Sequence, residues 1–353
     1  MTEVVTYREA LAESMHNALE RNDNSVIFGQ GVDDFKGTFG TTLGLAEKFG
    51  AQRVQDVPII EEGITGICMG AAMNGLRPIH VHIRADFLFL ALNQVLNMAA
   101  KYKYMFAGHH EVPIFIRAVV GRSWGQGAQH SQSPQSLLSH FPGLKVIMPS
   151  SSQSILESYD YLLNDYHSPV VSLEHRLMYD LNFDVDRAGL RKGEQSLASY
   201  VARQGSDITI VATSIMVLEA LRAAKHLEAF GIQCEVIDLH CTSDITEEVV
   251  LASVEKTGRL LVADTSWLKF GTCAEVARLV CENIPHRLKA PMKSVGMVPT
   301  PCPTAKALED LYYPNLQTLV SDILEVLGES SSSIQLPDEK SMADVYKKFR
   351  GPF

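Results

Sequence analysis

The sequence lacks any long apolar run. Nothing in its 353 residues approaches the roughly 20 consecutive apolar residues of a membrane-spanning helix, so no membrane partner is expected. The first residues, MTEVVTYREALAES, carry acids early and no continuous apolar stretch, which does not read as a signal peptide; the expected location is the cytoplasm. Positive charge is scarce. Lys and Arg total 31 against 41 Asp and Glu, a net charge of −10, and basic patches such as Lys101-Tyr-Lys103 are small. A nucleic-acid binder needs a basic stripe, so that class is excluded. Six cysteines (68, 234, 241, 273, 281, 302) form no CxxC pair and no metal-ligand spacing. In a reducing compartment they are expected to be buried small apolar residues, with exposure open only for Cys302 in its Pro-rich loop. There is no GxGxxG after a strand, no GxxxxGK[ST] and no HExxH, so dinucleotide, P-loop and zincin chemistries have no footing.

Hydrophobic residues are 46% and charged residues 20%, which is globular, and at about 150 residues per domain the length predicts roughly two domains. Ala10, Leu11, Met15, Ala18 and Leu19 recur at helical spacing and predict a helix over 7–20. Short apolar runs then alternate with helical segments. Strands are expected near 26–28, 52–55, 78–83, 113–119, 144–148 and 169–173. Helices are expected near 41–48, 62–74, 87–104, 133–140 and 151–164. Such alternation means a parallel sheet covered by helices on both faces. Residues 176–205 break the rhythm and suit a linker. A second series follows, with strands 207–213, 232–239, 259–264 and 292–296 and helices 215–229, 246–255, 270–282 and 314–327. Thr213 and Ser214 are plausible caps for the helix at 215. The expected domains are 1–178 and 206–328, joined by the linker 179–205 and followed by a polar arm, 329–353, whose end YKKFRGPF is available to a partner.

Three segments carry candidate chemistry. In DVPIIEEGITGICMGAAMNG (56–75) an extended piece ends in Glu61 and Glu62, then a helix begins whose small residues at 66, 70, 71 and 75 leave one face nearly flat. Two acids at a helix start suit the helix dipole. Alternatively one of them is a buried carboxylate at the strand end where parallel sheets bind ligands, able to share a proton with a ring nitrogen. In VVGRSWGQGAQHSQSPQ (119–135) glycines and polar residues place His130 in a loop after a strand, suited to proton transfer or to an anionic substrate. In RADFLFLALNQVLN (84–97) Phe87 and Phe89 open an apolar helix, either as core or as a wall for a planar heterocycle.

At DVPIIEEGITGICMGAAMNGLRPI the chain resembles the beta subunit of the decarboxylating component of 2-oxo-acid dehydrogenase complexes (pyruvate, branched-chain and acetoin types), in the transketolase-like thiamine-diphosphate superfamily. The likeness continues through LNQVLNMAAKYKYMFAG, VPIFIRAVVG, GQGAQHSQSPQSLLSHFPGLKVIMPS, SPVVSLEHRLMY, GSDITIVATSIMVLEALRAAKHLEAFGIQCEVIDLHC and LEDLYYPN, nearly all of residues 5–327. It implies an α/β fold: a pyrimidine-binding domain with a parallel sheet, then a transketolase C-terminal-like domain. It also implies a division of labour. Members usually hold magnesium and the diphosphate through a GDG motif with a downstream Asn pair, on the alpha subunit. This chain has no such motif, as a beta subunit should not. Thiamine diphosphate would then bind between chains, typically in an α2β2 assembly.

Carried over residue by residue, Glu61 matches the acid of the P-I-x-E motif that hydrogen-bonds the aminopyrimidine nitrogen, and Glu62 falls where members often have no acid. Phe87 matches the aromatic that packs on the pyrimidine, with Ile59 and Ile83 flanking it. His130 matches the active-site histidine that orients the carboxylate and assists acyl transfer. The resemblance implies a structural potassium at the carbonyls of Ile114, Leu162, Leu163 and Asp165, although the stretch after Asp165 is one residue longer than usual, which leaves the last ligand open, with His167 as the alternative. The chain also departs from the pattern. Gln30 stands where many members have an acid, Arg84 and Asp86 replace small polar residues, and Gly121–Gly125 and Val298–Thr304 look unlike the housekeeping pyruvate enzymes. Arg84 either pairs with Asp86 or meets an anionic substrate.

The expected function is decarboxylation of a 2-oxo acid with transfer of the acyl or ketol unit to a lipoyl transferase component or an acyl carrier protein. Two alternatives stand beside it. One is a split transketolase, with His80, His82, His109 and His110 as sugar-binding candidates. The other is a non-catalytic scaffold, which the presence of both Glu61 and His130 argues against.

Overall fold

The structure is a computed structural model that describes residues 2–122, 125–329 and 334–337. Its strands are β1 (Thr2–Thr6), β2 (Ser25–Gly29), β3 (Val54–Asp56), β4 (Arg77–His82), β5 (Phe115–Val120), β6 (Lys145–Ile147), β7 (Val170–His175), β8 (Asn182–Asp186), β9 (Tyr200–Arg203), β10 (Ile208–Ala212), β11 (Cys234–Asp238), β12 (Leu260–Trp267) and β13 (Lys293–Met297). The chain folds into two compact units. The first runs to Val120 and resumes over Leu137–Leu197; the second takes Gly121–Ser136 and continues from Ala198. The His130 loop therefore belongs with the second unit, although it lies inside the span expected for the first domain.

The first unit is built on a six-stranded parallel sheet of order β3-β2-β4-β5-β7-β6, as the alternation predicts. The helix Tyr7–Arg21 starts at a capping box, Thr6 with Glu9, and buries the expected stripe of Ala10, Leu11, Met15, Ala18 and Leu19. The helix Glu61–Met73 and the helical run Ala85–Met105 cover the opposite face and close a core with Ile116, Ala118 and Val120. That run is not one regular helix. Its middle, Asn93–Ala99, is a π-helix. Just beyond it Gly143, at φ +91, lies so close to the Ala100 carbonyl oxygen that a Cβ would sit 1.9 Å away, so only glycine fits there in the FPGLK segment. Beneath the sheet, Arg117 and Glu174 form a bidentate ion pair at 2.6 and 2.7 Å, both buried. Tyr159 and Tyr179 donate to the same carboxylate.

The second unit holds a five-stranded sheet of order β13-β12-β10-β11-β9, parallel except for β9, which runs antiparallel to β11. Its helices Ile215–Glu228, Glu247–Thr257, Thr272–Asn283 and Leu316–Leu327 lie close to their expected places.

Several expectations are corrected. The stretch 176–205 is not irregular: it contributes β8, which pairs with β1 in a two-stranded sheet, and β9, which joins the edge of the second sheet at β11. Ser214 sits at the helix start but makes no side-chain cap, and the Thr213 hydroxyl is given to Asp264 instead. Cys302 is 5% exposed, packed with Met297, Tyr312 and Tyr313, whereas Cys281 is exposed on the outer face of its helix. In the polar arm, Ile334 is buried and the Gln335 and Pro337 carbonyls accept from His226 and Gln317. The YKKFRGPF end, like Ser123 and Trp124 of the divergent loop, lies outside the described residues. Among the described residues no helix is long and apolar enough to cross a membrane.

Candidate functional site

In a parallel sheet the carboxyl ends of the strands gather at one edge, where ligands bind. In the first unit that edge carries Gln30 after β2, the segment Val57–Ile60 after β3 and Ile83 after β4. Gly29 ends β2 against Val81, whose carbonyl oxygen would lie 2.7 Å from a Cβ at that position, so the backbone can only pass with glycine. Gly31 N–H, in turn, donates to Asp56 at the end of β3 (2.6 Å). These contacts bring the residue between the two glycines, Gln30, to the start of the helix Glu61–Met73, where its amide donates to Glu61 Oε1 at 3.3 Å.

The two adjacent acids are treated differently. Glu61 is 6% exposed; Glu62 is exposed and accepts from Gln94 on the π-helical stretch at 3.1 Å. Ile59 and Ile60, immediately before Glu61, are 77% and 57% exposed. A buried acid beside bare branched aliphatic side chains is a half-built pocket, since such side chains gain about 1.5–3 kcal/mol each when covered. Ile83 and Phe87 are half-buried at the end of β4 and in the helical turn after it, and Arg84 and Asp86 between them are buried.

His80 and His82 point to the same face of β4 as the core beneath Glu61. Each is 3% exposed, and their ring centroids are 4.2 Å apart. Burial pushes His80 down to about 4, partly offset by the Phe28 carbonyl, 3.2 Å from Nδ1, and by the charge of Glu61. Burial and the neighbouring His80 push His82 well down from its ordinary value. A carbonyl beside Nδ1 calls for a proton on that nitrogen, which makes Nε2 of His80 an acceptor. Among the described residues Nε2 of neither ring, nor Thr65 Oγ1, has a hydrogen-bond partner. Of the four histidines named as sugar-binding candidates, His80 and His82 are buried, and His109 and His110 lie exposed after a helix end. The H-x-H alternation was the sequence signal for this buried pair.

The flat helix face at 66, 70 and 71 is covered by little in this chain. A Cβ at Gly66 would meet only Gln94, at 4.0 Å, and one at Gly70 would meet nothing. Of the four carbonyls read as potassium ligands, Ile114 O accepts from Val170 N (3.0 Å) and Leu163 O accepts from Arg77 Nε (2.8 Å). Arg77 also donates to the Tyr166 carbonyl at 2.6 Å, so its guanidinium bridges two carbonyls at the bend after the helix Ser152–Asn164. No group of three or more His, Cys, Asp or Glu among the described residues is arranged to hold a metal.

In the second unit His130 is half-buried, and its backbone N–H donates to the Gly127 carbonyl at 3.4 Å. The loop is held along its length. Arg122 bonds Asp310, lies 3.6 Å from Glu309 and stacks on Tyr313. Gly125 and Gly127, at φ +65 and +69, press against Thr304, where a Cβ on either would collide. Tyr313 donates to the Ser131 carbonyl and Ser266 to that of Ser133. Gln135 donates to Asp264.

Two family descriptions match the chain: the transketolase pyrimidine-binding domain over residues 3–181 and the transketolase C-terminal domain over 198–319. The beta subunit of the pyruvate dehydrogenase E1 component of Rickettsia conorii is 36% identical over 325 residues, covering 92% of this chain and 97% of that protein. The chain belongs to the E1 beta-subunit family. The acetoin:2,6-dichlorophenolindophenol oxidoreductase beta subunit of Bacillus subtilis is 34% identical (93% and 99% covered). The mitochondrial pyruvate dehydrogenase E1 beta subunit of mouse is 37% identical (92% and 91%). Among solved structures, a split-gene transketolase described as an inactive beta4 tetramer superposes with a TM-score of 0.74 at 22% identity, covering 92% of this chain and 98% of that one; it shows the shared fold. For this E1 beta-type chain, the pyrimidine-binding domain implies thiamine diphosphate. The site fits that group: a buried carboxyl, an amide that fixes one of its oxygens, and uncovered aliphatic side chains beside it.

Proposed function

We propose that this chain is the beta half of a thiamine-diphosphate-dependent 2-oxo-acid dehydrogenase, completed by an alpha subunit in an α2β2 assembly. It would act on a 2-oxo acid and deliver the acyl or ketol unit to the thiol of a lipoyl transferase component or an acyl carrier protein. The observation that carries this reading is Glu61, buried at a helix start, hydrogen-bonded by Gln30 and bordered by bare Ile59 and Ile60.

Thiamine diphosphate, when bound, supplies the carbon nucleophile and takes up the electron pair released by decarboxylation. The chain's own residues do the rest. Glu61 holds a proton at the pyrimidine ring nitrogen, and Gln30 fixes the oxygen that does not. Phe87, Ile59 and Ile83 pack on the ring and exclude water. His130 binds the substrate carboxylate and serves the transfer to the acceptor thiol. The alpha subunit holds magnesium and the diphosphate. It also covers the small-residue helix face and the exposed Ile60, Ile67, Leu90 and Met98, an uncovered apolar surface of the kind that marks an interface. Potassium remains in the proposal as a structural ion sharing the Leu163 carbonyl with Arg77. Melting with potassium exchanged for a bulky organic cation tests it; an unchanged midpoint leaves the bend to Arg77. The cytoplasmic location read from the sequence belongs to the same proposal.

The test uses the chain assembled with its alpha partner and thiamine diphosphate. Carbon dioxide release from 2-oxo acids is measured against two-carbon transfer between sugars. Decarboxylation with thiol-dependent acyl transfer supports the reading; ketol transfer alone overturns it in favour of a split transketolase.

A further inference from the structure

Among its described residues the His130 loop has no strand or helix between β5 and the helix at Gln135, and its glycines make it costly to order. Its downstream end is tied to the second sheet by Gln135, beside the bond from Ser266 to the Ser133 carbonyl and the contact of Ser136 with Thr272. Asp264, near the middle of β12 and 1% exposed, accepts through Oδ1 from Gln135 Nε2 (2.7 Å), from Thr213 Oγ1 at the end of β10 (2.5 Å) and from the Thr265 backbone N–H (2.8 Å). Burial pushes this carboxyl up, while the bonds from Thr213 and Gln135 hold it down. A buried carboxylate taking several donors makes bonds about twice as strong as neutral ones. The upstream end is held separately, by Arg122 on Asp310 and Glu309. His130 lies between the two anchors.

We infer that Asp264 is a positioning residue for His130: through Gln135 it fixes the downstream anchor of the loop and so the placing of the histidine. The inference rests on the reading of His130 as a reacting residue.

The experiment uses the complex assembled with the alpha subunit and compares wild type, Asp264→Asn, Gln135→Ala, the double variant Asp264→Asn/Gln135→Glu, and His130→Ala. Hydrogen exchange is followed over 125–135 and over β10–β12, together with kcat, KM and thiamine diphosphate affinity. Losing one charge-assisted bond is expected to speed exchange of the loop by about tenfold and lower kcat by about tenfold, with cofactor affinity and sheet exchange unchanged in Gln135→Ala. The double variant exchanges donor for acceptor and should recover most of both losses. Loop exchange at the wild-type rate in Asp264→Asn and Gln135→Ala overturns the inference, as does a kcat loss that the double variant does not recover. Gln135→Ala keeps the test decisive if Asp264→Asn does not fold. Full turnover in His130→Ala would instead overturn the role given to the histidine, while the exchange data still judge the anchor.

Discussion

Gln30 and Glu61 meet across the carboxyl edge of the first sheet, the Gln30 amide donating to Glu61 Oε1 at 3.3 Å. An amide can only steady a carboxyl, whereas an acid at position 30 would compete for its proton. Gln30→Glu places two carboxyls at hydrogen-bond distance, and one of them then holds a proton at neutral pH. The expected result is a pH–rate profile of the assembled complex displaced from that of wild type by about one unit or more. An unchanged profile would detach Gln30 from the site.

His80 and His82 make the fold sensitive to acid. Both are neutral when folded, with His80 held down to about 4 and His82 also held well down by burial, against an ordinary value of 6.5. Between those values the unfolded chain binds more protons than the folded one, so stability falls as pH drops below about 6.5 and continues to fall to about 4. For His80 alone the loss is on the order of 3 kcal/mol. Denaturant midpoints measured from pH 7 to 4.5 should fall less steeply in His80→Gln than in wild type. Parallel curves would contradict the burial argument.

Arg117 and Glu174 were invisible as a pair in the sequence, being 57 residues apart, yet they anchor the centre of the first sheet. Arg117→Met leaves the Glu174 charge buried with only tyrosine hydroxyls and is expected to cost about 3–5 kcal/mol in urea unfolding of the chain. The double variant Arg117→Met/Glu174→Leu should be less destabilised than the single one. A single-variant loss below about 1 kcal/mol would mean that water reaches the pair.

The parts of the molecule governed by local periodicity were legible in the sequence. The stripe Ala10–Leu19 and the βα alternation followed from spacing alone, and the parallel sheet follows from that alternation. What was not legible depended on contacts distant in the chain. β8 and β9 exist because β1 and β11 offer edges, which composition in 176–205 does not reveal. Thr213 reads as a cap until Asp264, 51 residues later, takes its hydroxyl. Cys302 reads as a loop residue until Tyr312 and Tyr313 close over it. At the site, the motif singled out Glu61 over Glu62, and the fold buries the first and leaves the second outside. Asp264 left only a faint trace, an acid inside an apolar strand.

The direct test of the account is Glu61→Gln in the complex with the alpha subunit, measured for cofactor binding and turnover together. Losing this proton partner should reduce turnover about 100- to 10,000-fold, while thiamine diphosphate still binds through the alpha subunit. Turnover equal to wild type with the cofactor bound would contradict it.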